Sequence, residues 1–215
     1  MSERLVRVGL GGLIASGKSS LAAALVSSTE LAKTISGAVE HVDADEVLRS
    51  ARSNDVVLRD AILQVVPDAR RADGTIDSGI LAARAFADAA VLQRLEALQW
   101  PVVRQSIRDA FRDAEARGAR LLLVEAIALG RSGLAAELDG AIYLQVDEAI
   151  RRERFVARGG SARDFELRNA AQSGIPAELK RIGAVVIDGS GSLPEIVQAA
   201  SQVLCRLCLP GESVD

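Results

Sequence analysis

The segment from Gly12 to Ser19 has the residue types and the spacing that bind nucleotide phosphates. It reads Gly-Leu-Ile-Ala-Ser-Gly-Lys-Ser and matches the phosphate-binding loop (P-loop) pattern G-x-x-x-x-G-K-[ST] at every fixed position. Gly12 and Gly17 let the main chain turn where a side chain would clash, so that consecutive N–H groups can point at phosphate oxygens. Lys18 is expected to reach the β- and γ-phosphates, and the Ser19 hydroxyl is expected to ligate Mg²⁺. The pattern predicts binding of ATP with Mg²⁺; the alternative is an accidental Gly/Ser turn.

The neighbours of this loop have the character that a P-loop needs. An apolar strand candidate, Val6–Leu10, precedes the loop, and a helix-prone stretch, Lys18–Ser28, follows it. The helix adds the positive end of its dipole, worth about half an elementary charge, beside the phosphates. The predicted nucleotide-contacting residues are Gly12, Leu13, Ile14, Ala15, Ser16, Gly17, Lys18, Ser19 and Ser20.

Three carboxylates form a second group. Asp43 and Asp45 follow a short strand candidate, and Glu125 ends another. Ligands bind at the carboxyl edge of a parallel sheet, so these three are expected to line a substrate site there. Asp45 is the candidate base that orients an acceptor hydroxyl and takes its proton, or it acts through Mg²⁺. The alternatives are that Asp45 caps the next helix and faces Arg49, and that Glu125 pairs with an arginine. His41, just before this patch, is expected to be packed or exposed rather than catalytic.

A basic stretch is the third feature. Arg154 and Arg158 are four residues apart and would share one face of a helix. From there they could clamp a transferring phosphate as part of a mobile lid over about residues 151–172. The alternative is a solvated helix surface, because acidic residues are interspersed. The arginines of the stretch are Arg151, Arg152, Arg154, Arg158, Arg163 and Arg168.

Short apolar runs alternate with helix-prone stretches, which predicts an α/β fold. Several runs are continuously apolar, Leu121–Val124 most clearly, as in a parallel sheet covered on both faces. We therefore predict a three-layer P-loop NTPase fold: a parallel five-stranded sheet with helices on both faces, plus an all-helical insertion and a lid. The predicted strands are Leu5–Leu10, Glu40–Val42, Arg120–Val124, Ala141–Val146 and Ala184–Ile187.

The middle of the chain departs from this alternation, because no strong strand lies between the second and third strand candidates. Pro101 is expected in the first turn of a helix, and Trp100 either stacks on a ligand ring or packs in a core or lobe interface. We assign residues 51–117 to a helical acceptor-binding insertion and residues 1–50 and 118–215 to a nucleotide-binding core. The alternative is a long crossover. The predicted helices are Asp45–Ser53, Asp55–Val65, Ile80–Gln99 and Val102–Arg117.

Composition limits the class of protein. A chain of 215 residues with 49% hydrophobic and 3% aromatic residues can form an aliphatic core without covalent staples, as one domain or as two small lobes. The net charge of −3 argues against broad nucleic-acid binding, and no apolar run approaches a membrane span. The first residues lack a signal-peptide core. We expect a cytosolic protein with a small-molecule substrate and with no nucleic-acid or membrane partner; the oligomeric state stays open.

Cys205 and Cys208 form a C-x-x-C pair in an apolar stretch near the C-terminus. A zinc site would need two further ligands, and the only histidine, His41, is distant in sequence. A redox pair of the thioredoxin type would follow a strand early in the chain. We therefore expect two thiols on the buried face of a helix.

Taken in order along nearly the whole chain, these motifs resemble the dephospho-CoA kinase family. The loop ending at Ser19 and the triplet Asp43-Ala44-Asp45 match the family's first two motifs. The segments Asp73–Asp77 and Leu122–Glu125 resemble its D-G-x-I-D and L-L-[FV]-E motifs. Further matches are Arg154 and Arg158 as paired lid arginines, Arg168 and Gln172 as R-x-x-x-Q, and the following Lys180.

Five positions depart from the family pattern. Leu13 and Ala15 stand inside the loop where glycine is usual. Ser78 replaces an arginine, Trp100 a histidine, and Asp188 an asparagine. The essential P-loop residues are retained, so the departures concern the acceptor more than ATP.

The resemblance implies an ATP-dependent phosphotransferase of CoA biosynthesis. It would transfer the γ-phosphoryl group of ATP to the ribose 3′-hydroxyl of dephospho-CoA, giving CoA and ADP. Asp45 would be the base, assisted by Lys18, Arg154 and Arg158, and the acceptor would be bound by Asp43, Asp45, Glu125 and Trp100. Two alternatives stay open: a kinase of another small hydroxyl or nucleotide acceptor, and a nucleotide-binding regulatory protein without phosphotransfer.

Overall fold

The computed structural model describes residues 4–209. Within this range, five strands form one parallel sheet in the order β2-β3-β1-β4-β5. Each strand begins and ends within one residue of its predicted bounds, so the α/β fold with a parallel five-stranded sheet is confirmed. The strands are β1 Val6–Gly11, β2 Val39–Asp43, β3 Leu121–Glu125, β4 Gly140–Gln145 and β5 Val185–Asp188.

Ten α-helices connect or follow these strands within the described range. Several begin at a side-chain cap of the type that favours helix initiation; Asp77, for example, accepts hydrogen bonds from the N–H groups of Gly79 and Ile80. The helices are α1 Lys18–Val26, α2 Thr29–Thr34, α3 Ala44–Asn54, α4 Val56–Val65, α5 Ser78–Ala87, α6 Ala89–Ala116, α7 Glu148–Ala157, α8 Ala162–Ala171, α9 Ile175–Arg181 and α10 Leu193–Cys208.

The central strand β1 has both faces covered, as its apolar sequence predicts. Val8 and Leu10 point into a core shared with α1, α2 and α10, and both are almost fully buried. Arg7 lies on the opposite face, where its guanidinium stacks 4.7 Å above the ring of Phe111 from α6. Helix packing on both faces also explains why β3 is continuously apolar rather than alternating.

The chain divides into two compact units. The first contains the described residues up to Asp43 and from Asp109 onward, and the second contains Ala44–Arg108. The predicted insertion, residues 51–117, therefore differs at both bounds: α3 belongs to the second unit, and the last part of α6 belongs to the first. Residues 1–3 and 210–215 of the predicted core lie outside the described residues.

The second unit is all-helical. Its core is formed by one apolar face from each of α4, α5 and α6, including Leu58, Ile62, Leu81 and Leu95. These side chains recur at three- and four-residue spacings, which places them on one face of each helix.

Two predictions inside this unit are wrong. The predicted helix Ile80–Gln99 is broken at Asp88, whose side chain accepts a hydrogen bond from the Ala90 N–H at 2.8 Å and so starts α6. Pro101 does not begin a helix but lies inside α6. The proline removes the bond to the carbonyl of Ala97, and both residues are exposed, so water can satisfy that carbonyl.

The C-terminal helix α10 carries both cysteines. Cys205 and Cys208 are free thiols, and both are buried in the core beneath the sheet, as expected for a helix face. Within residues 4–209, no group of three or more His, Cys, Asp or Glu side chains has the arrangement of a metal site. In the same range, no helix combines the length and the apolar character that crossing a membrane demands.

Candidate active site

The P-loop connects β1 to α1 and depends on two glycines. A Cβ at Gly12 would lie 2.7 Å from the Ser16 hydroxyl and 2.9 Å from the Leu144 carbonyl, so no other residue fits there. Gly17, the residue before α1, has φ of +98°, which side chains disfavour. The predicted strand, loop and helix are therefore present, and the first N–H groups of α1, which have no partner within the helix, face the loop end.

Lys18 folds back over this loop. Its ammonium group donates to the carbonyl of Gly12 at 3.0 Å and contacts that of Leu13 at 3.4 Å, and the residue is only 7% exposed. Near it, the Ser16 hydroxyl is buried and has no hydrogen-bond partner within residues 4–209. A positive charge and an unsatisfied hydroxyl beside a loop of main-chain amides suit an anionic, oxygen-rich ligand.

Glu125 contacts the P-loop helix directly. Ser19 donates its hydroxyl hydrogen to Glu125 Oε1 at 2.8 Å, and His41 Nε2 lies 3.2 Å from Glu125 Oε2. Burial by itself raises the pKa of Glu125, but His41, Ser19 and the charge of Lys18 together outweigh it and hold the pKa below the ordinary 4.5. Glu125 is therefore an anion at neutral pH, and its contacts are with Ser19 and His41 rather than with the arginine of the alternative interpretation.

The sheet register explains this grouping. Asp43 at the end of β2 lies beside Glu125 at the end of β3, and Glu125 lies beside Leu10 of β1. The parallel order therefore brings two of the three predicted carboxylates to the edge that carries the P-loop. A hydroxyl and a carboxylate in contact offer the hard oxygen ligands that Mg²⁺ prefers.

Both predicted lid arginines lie next to the P-loop. Arg154 on α7 donates to the carbonyl of Ser16 at 3.3 Å and to that of Gly189 at 3.1 Å. Arg154 and Arg158 line a cavity of about 210 Å³. One wall of the cavity is formed by small and polar residues of the P-loop and α1, and another wall is apolar. The P-loop side is Ser16, Gly17 and Ser20, and the apolar side is Leu144, Leu193 and Ile196.

The second unit holds the remaining predicted residues. Asp45 is the second residue of α3, so it lies neither on an extended segment nor in front of the helix as a cap. The next residue, Glu46, pairs with Arg49. Asp45 attracts the guanidinium of Arg52, whose pKa is lowered by burial and partly restored by that charge. Trp100 is half-buried inside α6, and its indole N–H has no hydrogen-bond partner within the described residues.

A protein-family model described as dephospho-CoA kinase matches residues 6–195. The chain belongs to this family. The match includes the P-loop, both carboxylate segments, the all-helical unit and the arginines of α7. The resemblance noted from the motifs is therefore confirmed over most of the chain.

Relatives and solved structures of similar extent agree with this membership. The chain is 29% identical over 205 residues to a dephospho-CoA kinase of Corynebacterium glutamicum, covering 94% of this chain and 98% of the relative. It is 32% identical over 187 residues to a dephospho-CoA kinase of Deinococcus radiodurans, covering 87% and 85%. The crystal structure of TT1252 from Thermus thermophilus superposes with a TM-score of 0.75 at 28% identity, covering 95% of this chain and 98% of that one.

Three residues of this dephospho-CoA kinase family member contact the site without having been assigned a role from the sequence. His41 contacts Glu125, although a single histidine carries no pattern of its own. Arg151 is 3% exposed and donates to the carbonyl of Ile14 at 3.4 Å, so it is not one of the solvated arginines. Gln172 accepts a hydrogen bond from the Ile14 N–H at 2.7 Å; its only sequence signal was its place in the R-x-x-x-Q resemblance.

Proposed function

We propose that the protein phosphorylates the ribose 3′-hydroxyl of dephospho-CoA with ATP, giving CoA and ADP, the last step of CoA biosynthesis. The observation that carries this proposal is the family match over residues 6–195, which includes the nucleotide-binding unit and the helical unit. Cytosolic location and Mg²⁺ dependence belong to the same proposal.

The P-loop positions the phosphates of ATP. Main-chain N–H groups of the P-loop and the Lys18 ammonium, already folded over the loop, would neutralise the β- and γ-phosphate charges. The Ile14 N–H is not among them, because Gln172 accepts it. The cavity between the loop and α7 is the entry for the nucleotide. Positioning and charge neutralisation account for most of the rate in phosphoryl transfer, because little covalent chemistry falls to the protein.

Ser19 and Glu125 would hold Mg²⁺. Their oxygens lie 2.8 Å apart, and Glu125 is kept anionic by its neighbours. When bound, the ion would supply positive charge that offsets the negative charge of the phosphates. Glu125 thereby gains a role as a metal-site carboxylate beside the substrate-binding role predicted from its position.

Asp45, Asp43 and Trp100 are assigned to the acceptor. From the first turn of α3, Asp45 would accept the hydrogen of the 3′-hydroxyl and align its oxygen. Asp43 would bind the ribose, and the indole N–H of Trp100 offers a donor to the acceptor. Arg154 and Arg158 would contact the transferring phosphoryl group, where an arginine is worth about 10³-fold in rate.

A coupled assay of ADP formation tests the proposal. The wild type is mixed with ATP, Mg²⁺ and one acceptor at a time: dephospho-CoA, other nucleotides, nucleosides, or small alcohols. We expect ADP only with dephospho-CoA, and a product that carries its new phosphate on the 3′-oxygen by phosphorus NMR. ADP only with another acceptor would indicate a different substrate, and ATP binding without transfer to any acceptor would indicate a regulatory protein.

Lys18→Ala supplies the control for the nucleotide half of the site. Turnover should fall by about 10³-fold or more, because the phosphate charge loses its main neutralising group. Circular dichroism should show the fold unchanged. Lys33→Ala, which removes an exposed lysine of α2, should keep wild-type turnover. Wild-type turnover in Lys18→Ala would refute the phosphate-binding role of the loop.

A further inference from the structure

Both backbone polar atoms of Ile14, in the middle of the P-loop, are held by side chains from outside the loop. Gln172, which ends α8, accepts the Ile14 N–H at 2.7 Å. Arg151 of α7 donates to the Ile14 carbonyl at 3.4 Å and to Asn169 Oδ1 at 2.9 Å. The loop is therefore tied to two helices through one residue.

Arg151 and Asn169 are themselves held in place by further contacts. Arg151 is 3% exposed, its Nε donates to the Val146 carbonyl at 3.1 Å, and its guanidinium lies over the ring of Phe165. Asn169 donates in turn to Glu148 at 2.9 Å. A buried guanidinium with several partners has little freedom to move, so the Ile14 carbonyl is held in one direction.

The next residue, Ala15, adopts a conformation that needs such support. Its φ is +58°, in the left-handed region that L-residues with a Cβ disfavour. In the family pattern this position is usually glycine, which would adopt the same φ without strain. A strained residue persists only where its surroundings over-determine it.

The peptide between Ile14 and Ala15 connects the side-chain contacts of Ile14 with the left-handed conformation of Ala15. In a trans peptide the C=O and the following N–H point in opposite directions, and no cis peptide occurs within the described residues. With its carbonyl held by Arg151, this peptide turns the Ala15 N–H away from α7. Arg154 fixes the Ser16–Gly17 peptide in the same way, through the Ser16 carbonyl.

We propose that Gln172 and Arg151 are positioning residues that keep the P-loop, with Ala15 in its left-handed conformation, in the shape that binds nucleotide phosphates. The inference rests on the proposed function, because it assigns nucleotide binding to this loop. It adds two side chains of α7 and α8 that act through the main chain and do not themselves touch the phosphates.

Calorimetric titration of ATP in the absence of any acceptor tests this proposal. Removal of one hydrogen bond in Gln172→Ala should weaken ATP binding about fivefold. In an Ala15→Gly background, where the left-handed conformation is unstrained, the same substitution should cost less than about twofold. An equal loss of ATP affinity in the wild-type and Ala15→Gly backgrounds would overturn the proposal. Tighter binding in Gln172→Ala would also overturn it, because Gln172 would then compete with phosphate for the Ile14 N–H.

Ser161→Ala is the matched control. Ser161 caps the N-terminus of α8 by accepting the Asp164 N–H at 3.0 Å, whereas Gln172 lies at the C-terminus of this helix. Its loss should lower the melting temperature while ATP affinity stays within about twofold of wild type. If Ser161→Ala weakens ATP binding as much as Gln172→Ala does, loss of α8 stability explains both and the positioning role is refuted. Because no acceptor is present, a wild type that binds ATP but does not phosphorylate dephospho-CoA would contradict only the proposed function.

Discussion

At the scale of single residues, Glu125 is the side chain whose neighbours most restrict its chemistry. One of its oxygens accepts the Ser19 hydroxyl and the other lies beside His41, while Lys18 adds a positive charge nearby. Each of these neighbours favours the anion against the cost of burial. A carboxylate that stays charged in a buried position is suited to a metal ion or to a polyanion held through one.

The lowered pKa of Glu125 predicts a pH-dependent contribution to stability. A carboxyl group whose pKa is lower in the folded state stabilises the fold above its unfolded value, and that contribution is lost as pH falls through the folded value. The melting temperature of wild type relative to Glu125→Gln should therefore be highest near neutral pH and decline as pH drops below about 4.5. Thermal melts of both proteins across this range provide the measurement. A difference that stays constant or grows in acid would contradict the lowered pKa.

Asp45 is the residue that we propose acts on the acceptor hydroxyl. In Asp45→Asn we expect kcat to fall by about 10²-fold or more while ATP affinity changes little, because a base acts on the acceptor hydroxyl and not on the nucleotide. Steady-state kinetics and ATP titration measure the two effects separately.

Glu46→Gln is the control for Asp45→Asn, because Glu46 is the next residue of α3 and is largely exposed. It should retain wild-type kcat. If Asp45→Asn keeps kcat and only the melting temperature falls, Asp45 stabilises the start of α3 and is not the base.

At the scale of elements, the arginines of α7 lie in different surroundings and make different contacts. Arg151 is buried against the loop, Arg152 is exposed and lies 3.5 Å from Glu166, and Arg154 reaches the carbonyls of Ser16 and Gly189. The helical repeat of 3.6 residues explains why neighbours in sequence face such different surroundings. Counting arginines along the sequence could not separate them.

Arg154→Lys tests whether the hydrogen bonds of the Arg154 guanidinium are needed for turnover. A lysine cannot reproduce two directed hydrogen bonds from one planar group, so kcat should fall by about 10²-fold or more with dephospho-CoA as acceptor. Arg152→Lys is the control, because Arg152 is exposed on a different face of α7, and it should retain wild-type kcat. Similar kcat values for Arg154→Lys and wild type would show that only the positive charge matters at this position.

Helix boundaries show where local patterns were insufficient. The strands were predicted to within one residue, because five short apolar runs are bounded by polar residues. The break between α5 and α6 was placed at Pro101, whereas it occurs at Asp88. A proline at an exposed position costs little when water can replace one bond, and an aspartate that caps the next helix ends the preceding one more effectively.

At the scale of the whole molecule, the strand order assembles the site. Placing β3 between β1 and β2 brings Ser19, which follows β1, against Glu125, 106 residues later in the chain. The same order aligns Asp43 with Glu125. The nucleotide half of the site is therefore a property of the sheet and not of any one segment.

The reactivity of the two buried thiols should depend on global unfolding of the protein. Cys205 is 6% exposed and Cys208 is 1% exposed, and both belong to the core that α10 forms with the sheet. We expect almost no reaction with a thiol reagent in the native protein and two reactive thiols after denaturation, at a rate that follows unfolding. In Mg²⁺-free buffer, a zinc-selective chelator should leave the melting temperature unchanged. Rapid reaction of both thiols in the native protein, or destabilisation by the chelator, would contradict this assignment.

Local pattern was sufficient for the fold class, the P-loop motif and the family, because each depends on residues that are close in sequence or on the period of apolar residues. Folding of the chain was required to bring His41 to Glu125, and to bring Gln172 to Ile14 across 158 residues. Single histidines and glutamines carry no periodic signal, so their partners depend on which strands and helices become neighbours. The position of Arg151 in the interior was decided in the same way, by packing.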